Sequence, residues 1–225
     1  MDLAEAESIA IANRPSPGRP GGRVANVDQP RDQVTEWEER VAAQFAGLKA
    51  WAKSCGCLLK TENLPKRAFG PSGREHEVFH DVVQSRFWKA TFPNQAGCGP
   101  FGFFTPAGYL RRLRLTNRIF CDDVRFEGVW VRKLGVSLVT SQSYIQPHTE
   151  RFIPTEAEIS SFLEQLGFHW EDTSAAWERE DGVVLGDTHD RNFIRAPDGL
   201  LYAIDVQARM KSGFDWEAVR QWSGS

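Results

Sequence analysis

The sequence predicts an α+β fold. Helix-period apolar stripes are confined to three stretches, and strand-like runs with short turn signals occupy much of the remainder. Their order is a strand-rich half with one helix inserted, a connecting stretch, then a helix followed by small strand pairs.

Residues 1–32 are expected to form a flexible N-terminal arm. The stretch PSPGRPGGRVANVDQPRDQ is so rich in Pro, Gly and charge that it cannot bury enough apolar surface to order itself. Residues 33–56 then predict an amphipathic helix. Val34, Trp37, Val41, Phe45, Leu48 and Trp51 recur at three- and four-residue steps, and Gly56 supplies a stop.

Residues 57–146 form the strand-rich half. After an irregular, punctuated stretch, EHEVFHDVVQSRFWKATF predicts a hairpin: Val78 and Phe79 lead into a turn near Asp81 to Ser85, and Phe87 to Thr91 return. The Gly-rich NQAGCGPFGFF reads as a loop. Thr105 and Pro106 then open a helix as N-cap and first helical position, with Tyr109, Leu110, Leu113, Ile119 and Phe120 on its apolar face. DDVRFEGVWVRKLGVSLVTSQSYIQ predicts two more strands, turning near Lys133 to Gly135.

In residues 147–225, Thr155 and Glu158 stand at capping-box spacing at the head of a third helix that Gly167 ends. Short strands follow at Trp177–Arg179 and Val183–Leu185. A hairpin of Phe193–Arg195 with Leu200–Ile204 then turns on Ala-Pro-Asp-Gly. There is no internal repeat.

The chain has 225 residues, 41% hydrophobic and 25% charged, with a net charge of −3 and a pI near 6.0. That balance argues against bulk affinity for nucleic acid or an anionic membrane, so neither is expected as a partner. The basic run Arg111, Arg112, Arg114 and Arg118 reads as the wet face of a helix. Four cysteines, Cys55, Cys57, Cys98 and Cys121, lack zinc-site spacing and are too sparse for a disulfide framework. They read as reduced, mostly buried thiols in a cytoplasmic protein. No signal peptide or membrane span is legible.

The chemistry concentrates in LGDTHDRNFIRAPDGLLYAID, residues 185–205. Asp187 ends an apolar run, Asn192 enters the hairpin and Asp205 leaves it. The hairpin therefore returns Asp205 to Asn192, with Asp187 on the adjoining loop. Two carboxylates and an amide oxygen at one rim are hard ligands suited to Mg²⁺, which takes one or two carboxylates plus substrate phosphates. His189 is expected to pack under the loop and hold its shape. A two-metal phosphoesterase also uses Gly-Asp-x-His, but it needs further ligand strings downstream. The thirty-six residues after His189 contain neither those strings nor any His.

The string Gly-Asp-x-His-x-x-Asn, a hairpin and Ile-Asp resembles the catalytic and metal-binding segment of the protein-kinase-like superfamily. GxEHxV, a Tyr-Leu-x-Arg helix, TSQ-x-[FY]-I and the terminal Ile-Asp together look most like the serine/threonine/tyrosine kinase-like domain of bacterial and phage polyvalent proteins. The resemblance covers roughly residues 57–210. It implies a minimal two-lobe kinase-like fold, with a strand-rich N-lobe over residues 57–146 and an abbreviated C-lobe over 147–225.

By that resemblance Asp187 orients the substrate hydroxyl and accepts its proton, while Asn192 and Asp205 hold Mg²⁺ on ATP. Gly73 lies in a phosphate-covering loop and Lys89 neutralises the α/β-phosphates. The segment around Gln142 and Tyr144 receives adenine through backbone groups. The implied activity is Mg-dependent phosphoryl transfer from ATP to a hydroxyl of a protein or small molecule. The helix from Thr105 has no Glu to pair with Lys89, which leaves Glu75, Glu77 or Glu127 for that task. With so little chain after Asp205, the alternative is a kinase fold that binds nucleotide or a partner without turnover.

Overall fold

The computed structural model describes residues 2–13, 30–66, 75–99, 102–103 and 105–211. Its contacts divide the chain into two units, one of residues 1–98, 102–114 and 123–143, the other of residues 99–101, 115–122 and 144–225. As the sequence predicts, the chain is mixed α+β, with four α-helices and several sheets among the described residues.

The first unit opens with α1 (Leu3–Ala12), whose N-cap Asp2 accepts a hydrogen bond from the Ala4 N–H. Next comes α2 (Pro30–Ser54), with a proline at its first position, where a helix has no use for the missing N–H. Strands β1 (Leu58–Leu59), β2 (His76–Asp81) and β3 (Arg86–Thr91) follow, then the two-residue strands β4 (Cys98–Gly99) and β5 (Gly102–Phe103). Helix α3 (Pro106–Phe120) contributes residues 106–114 to this unit, and β6 (Arg125–Arg132) and β7 (Gly135–Ser143) complete it.

The main sheet runs β1-β6-β7-β3-β2, antiparallel except for the β1–β6 pair. Strand β7 is central and buried from Val136 to Gln142. The helices pack on it through Leu3 and Ala6 of α1, Phe45 and Leu48 of α2, and Tyr109 and Leu110 of α3, against Phe126, Val129 and Leu138. The expected hairpin therefore forms as β2 and β3, and Thr105 caps α3 by accepting from the Gly108 N–H at 3.1 Å.

Two expectations change. The flexible arm assigned to residues 1–32 does not hold for residues 3–12, which form α1 with Leu3, Ala6 and Ala10 buried. Their small apolar residues find a ready-made surface on α2 and the sheet, which composition alone does not reveal. The rest of that arm, residues 14–29, lies outside the described residues.

The basic run on α3 is also not simply a wet face. Glu7 is 2% exposed, and its carboxylate accepts from Arg111 Nε at 2.8 Å and from Arg114 at 2.7 Å. Arg112, 5% exposed, donates to Glu75 at 3.0 Å. A carboxylate this deep is tolerated because two guanidinium groups compensate its lost hydration.

The second unit packs α4 (Glu156–Gln165) against β8 (Phe168–Glu171), β9 (Ala176–Arg179), β10 (Val183–Gly186), β11 (Phe193–Arg195), β12 (Leu201–Ala203) and β13 (Gln207–Met210). The sheet order is β13-β10-β9-β8, and β11 and β12 form a separate hairpin. Ile159 and Leu163 of α4 meet Phe168, Trp177, Leu185 and Phe193, together with Leu115 and Ile119 from the last turns of α3.

The capping box at Thr155 forms as predicted, and Gly167, at φ +83°, lets the chain leave α4. Strands β8 and β13 were not legible. In β13 the buried residues are Gln207 and Ala208, a pair with little strand character of its own. No helix among the described residues is long and apolar enough to cross a membrane.

Glu7→Gln is expected to lower unfolding stability by about 2–3 kcal/mol, since it weakens two charge-assisted hydrogen bonds to buried groups. Urea titration followed by circular dichroism measures it.

Candidate functional site

Strand β10 is a buried apolar run whose ladder with β13 ends at the pair Gly186–Gln207. Asp187 leaves that ladder on one strand, two residues from where Asp205 and Val206 bring the chain in on the other. Asp187 takes φ +59°, a left-handed conformation that an Asp tolerates better than most side chains. A 3₁₀ turn over Asp190–Asn192 then carries the chain into β11.

The β11–β12 hairpin pairs Phe193 with Ala203, and the Ile204 N–H donates to the Asn192 carbonyl at 2.9 Å. Asn192 is thus set beside Asp205 by register. Its side chain, in a residue only 8% exposed, completes the join. Nδ2 donates to the Asp187 carbonyl at 2.7 Å and to the Asp205 carbonyl at 3.5 Å. An amide nitrogen must face those two carbonyls, because an oxygen there would repel them. The amide oxygen Oδ1 therefore points away from both.

The Asn192 side chain thus meets the main chain of the two other residues the sequence singles out, Asp187 and Asp205. Phe193, Leu185, Val206 and Ala203 form the apolar floor beneath it, each under 6% exposed. His189 does not pack under the loop as expected. It is exposed, and its Nε2 lies 3.2 Å from Asp187 Oδ1. A short 3₁₀ turn has no interior to take an imidazole, so the ring lies along the rim and orients the carboxylate instead.

Among the described residues, no group of three or more His, Cys, Asp or Glu stands ready as a metal cage. The donor set here is two carboxylates and an amide oxygen. That suits Mg²⁺, which keeps waters and phosphate oxygens in its shell, better than a metal needing an all-protein cage.

In the first unit, Lys89 lies in β3 opposite Thr140. Trp88 and Ala90 belong to one apolar cluster with Trp130 and Val139, so strand alternation turns Lys89 to the other face, which carries Leu138 and is covered by α3. The three acidic residues weighed as its partner each engage another group. Glu75 pairs with Arg112, Glu77 with Arg132 at 2.6 Å, and Glu127 accepts from the Ser141 hydroxyl. The motif residues Glu75-His76 and Tyr109–Arg112 meet here, since His76 Nε2 also lies 2.9 Å from the Tyr109 hydroxyl. Gln142 is buried in β7 opposite Phe87, while Tyr144 is the first residue of the second unit's longest segment. Gly73 lies outside the described residues.

The sequence reading missed a polar clamp at the end of β7. Arg86, 5% exposed, donates from Nε to Ser141 Oγ at 2.8 Å and from Nη1 to Asp123 Oδ2 at 2.5 Å. Nη1 also reaches Ser143 Oγ at 3.0 Å, and the Ser143 N–H donates to Asp123 Oδ1 at 2.9 Å. Burial alone would raise the Asp123 carboxyl. The hydrogen bonds from Arg86 and Ser143 outweigh it and hold the group below its ordinary value. Arg86 opens β3, and only its cross-strand partners reveal its role. A second missed residue is Arg195. It fastens residues 148–152 through its own backbone and through Nε to the Arg151 carbonyl, and it pairs with Glu158 of α4 at 2.5 Å.

The chain belongs to the serine/threonine/tyrosine kinases found in polyvalent proteins, a family whose profile matches residues 42–212, well over half its length. No curated protein and no solved structure matches it.

Because its folded value is lowered, Asp123 contributes stability that is fully present above the ordinary carboxylate range and lost as pH falls through the folded value. The stability difference between wild type and Arg86→Gln should therefore be largest near pH 7 and shrink below about pH 4. Urea midpoints at pH 7 and pH 3 test the sign.

Proposed function

We propose that this kinase-family chain transfers a phosphoryl group from ATP, in the presence of Mg²⁺, to a hydroxyl of a protein or small molecule. The observation that carries the reading is the Asn192 side chain, which ties Asp187 to Asp205 and turns its own oxygen outward.

In this reading Asp187 accepts the proton of the acceptor hydroxyl. His189 engages Oδ1, which leaves the other carboxylate oxygen for that proton, and the constrained backbone at φ +59° sets its direction. Asn192 Oδ1 and the Asp205 carboxylate are the metal-facing groups, and Mg²⁺, when bound, supplies neutralisation of phosphate charge. Lys89 is the cation that the family resemblance assigns to the nucleotide phosphates. The backbone around Gln142 and Tyr144 serves the adenine, with the Arg86–Asp123 clamp holding its approach. Gly73 belongs to the phosphate-covering loop. The protein's contribution is positioning and charge compensation, with little covalent chemistry.

Strand order in the first unit supports the reading. A hairpin whose second strand carries Lys89, then a helix, then a second hairpin inserted beside β3 in the order β6-β7-β3-β2 is the succession the family resemblance implies. The ion pair between strand and helix runs from Glu75 on the strand side to Arg112 on the helix, so α3 can be anchored without a glutamate of its own.

Calorimetric titration with ATP, with and without Mg²⁺, tests the reading together with γ-phosphate release. Wild type should bind ATP, more tightly with Mg²⁺. Asp187→Ala should retain binding and lose about 10²–10⁴-fold in turnover, whereas Asp205→Ala and Asn192→Ala should lose the Mg²⁺-dependent increment. Absence of nucleotide binding overturns the proposal outright. Binding without turnover in wild type replaces it with the non-catalytic kinase fold, and unchanged turnover in Asp187→Ala removes the assigned base.

A further inference from the structure

The segment joining α2 to β1 reads Ser-Cys-Gly-Cys, and nothing in the phosphotransfer reading uses it. The sequence led us to expect reduced, mostly buried thiols. Instead Cys55 is exposed, Cys57 is half-buried, and their sulfurs lie 2.9 Å apart. Gly56 between them has φ +74°, the left-handed region open to a residue without Cβ, and that bend returns the two flanking side chains to the same side. Nothing lies within 4 Å of where a Gly56 side chain would start, and Cys55 is itself exposed, so the turn is open at its exposed thiol.

The backbone holds this geometry from both ends. The Cys55 N–H donates to the Trp51 carbonyl at 3.0 Å and the Cys57 N–H to the Ala52 carbonyl at 2.7 Å, which fastens both to the last turn of α2. The Cys57 carbonyl accepts from the Val129 N–H at 3.1 Å, which fastens it to β6. Two thiols held this way are already within reach of each other, so the entropy of bringing them together is small.

We propose that Cys55 and Cys57 are a redox-active dithiol that closes reversibly to a Cys55–Cys57 disulfide on meeting a low-molecular-weight disulfide such as oxidised glutathione. The Cys55 thiolate, the exposed member, attacks one sulfur of the oxidant, forms a mixed disulfide and expels one glutathione thiolate. The Cys57 thiolate then attacks the Cys55 sulfur, forms the ring and expels the second. The two thiol protons go to the departing glutathiones, so one oxidised glutathione becomes two reduced ones while the protein loses two hydrogens.

A ring closed across one intervening residue is strained, and strained, exposed disulfides are the easily reduced kind. The pair is therefore a switch and not a staple. Burial, reinforced by the hydrogen bond with Cys55, pushes the Cys57 thiol up to about 11.

The test uses the full chain with Cys98 and Cys121 changed to Ser. It is equilibrated across ratios of reduced to oxidised glutathione, quenched with iodoacetamide and digested with trypsin. The peptide spanning residues 54–60 reports the outcome. At oxidising ratios that peptide should carry no alkyl group and be two hydrogens lighter, and it should return to the doubly alkylated form with dithiothreitol. Cys57→Ser in the same background should instead accumulate the mixed disulfide with glutathione on Cys55. Full alkylation of both residues at every ratio overturns the proposal. So does a mixed disulfide on Cys55 as the sole oxidised product while Cys57 is present.

Discussion

A buried amide group must find hydrogen-bond partners, and in the second unit that requirement falls on Asn192. The two partners it finds are backbone carbonyls from segments that meet only because β10 pairs with β13 and β11 pairs with β12. One side chain thus checks two registers at once. A one-residue slip in either ladder would turn the Leu185 or Phe193 face to water and strand the amide. The apolar floor and the polar rim are consequently set by the same condition, and the direction of the Asn192 oxygen follows from it.

The first unit meets its polar demands differently. Its central strand is buried along seven consecutive residues that include Ser137, Thr140, Ser141 and Gln142. The Ser141 hydroxyl is met by Arg86 Nε and by Glu127, the Thr140 hydroxyl donates to the Lys89 carbonyl, and Arg86 also ties Asp123 to Ser143 at the end of the strand. Each charged side chain there is shielded by a neighbour of opposite sign or by a hydroxyl. Specific polar pairing, more than apolar bulk, fixes where β7 ends and where the following segment begins.

Much of this was readable in advance because it is local. Thr105 and Pro106, Thr155 and Glu158, and Ala-Pro-Asp-Gly announce helix starts and a hairpin turn through chemistry confined to four or five residues. The return of the chain from Asn192 to Asp205 was legible for a related reason: the hairpin between them is short, so the geometry of return could be counted. What escaped depends on distant partners. Nothing local to Arg86 announces Asp123 and Ser141, its partners from elsewhere in the chain. Gln207 had no strand assignment from sequence, and it is the cross-strand partner Gly186 that places it in β13. Residues 3–12 carry few large apolar side chains, and the surface that orders them is made by α2 and the sheet. The exposure of Cys55 likewise depends on how α2 ends, which no cysteine count reports.

The ion pairs of Glu7 join residues 104 and 107 positions apart in the chain. During synthesis the first helix therefore emerges long before the arginines that neutralise it. Until Arg111 and Arg114 are made, α1 has an acidic residue on the face that also carries Leu3, Ala6 and Ala10, and burying that face would strand an uncompensated charge. The carboxylate thus works against premature docking of its own helix onto whatever apolar surface is nearest, including that of a neighbouring nascent chain. A residue that stabilises the finished fold also delays its first helix until the correct partner exists.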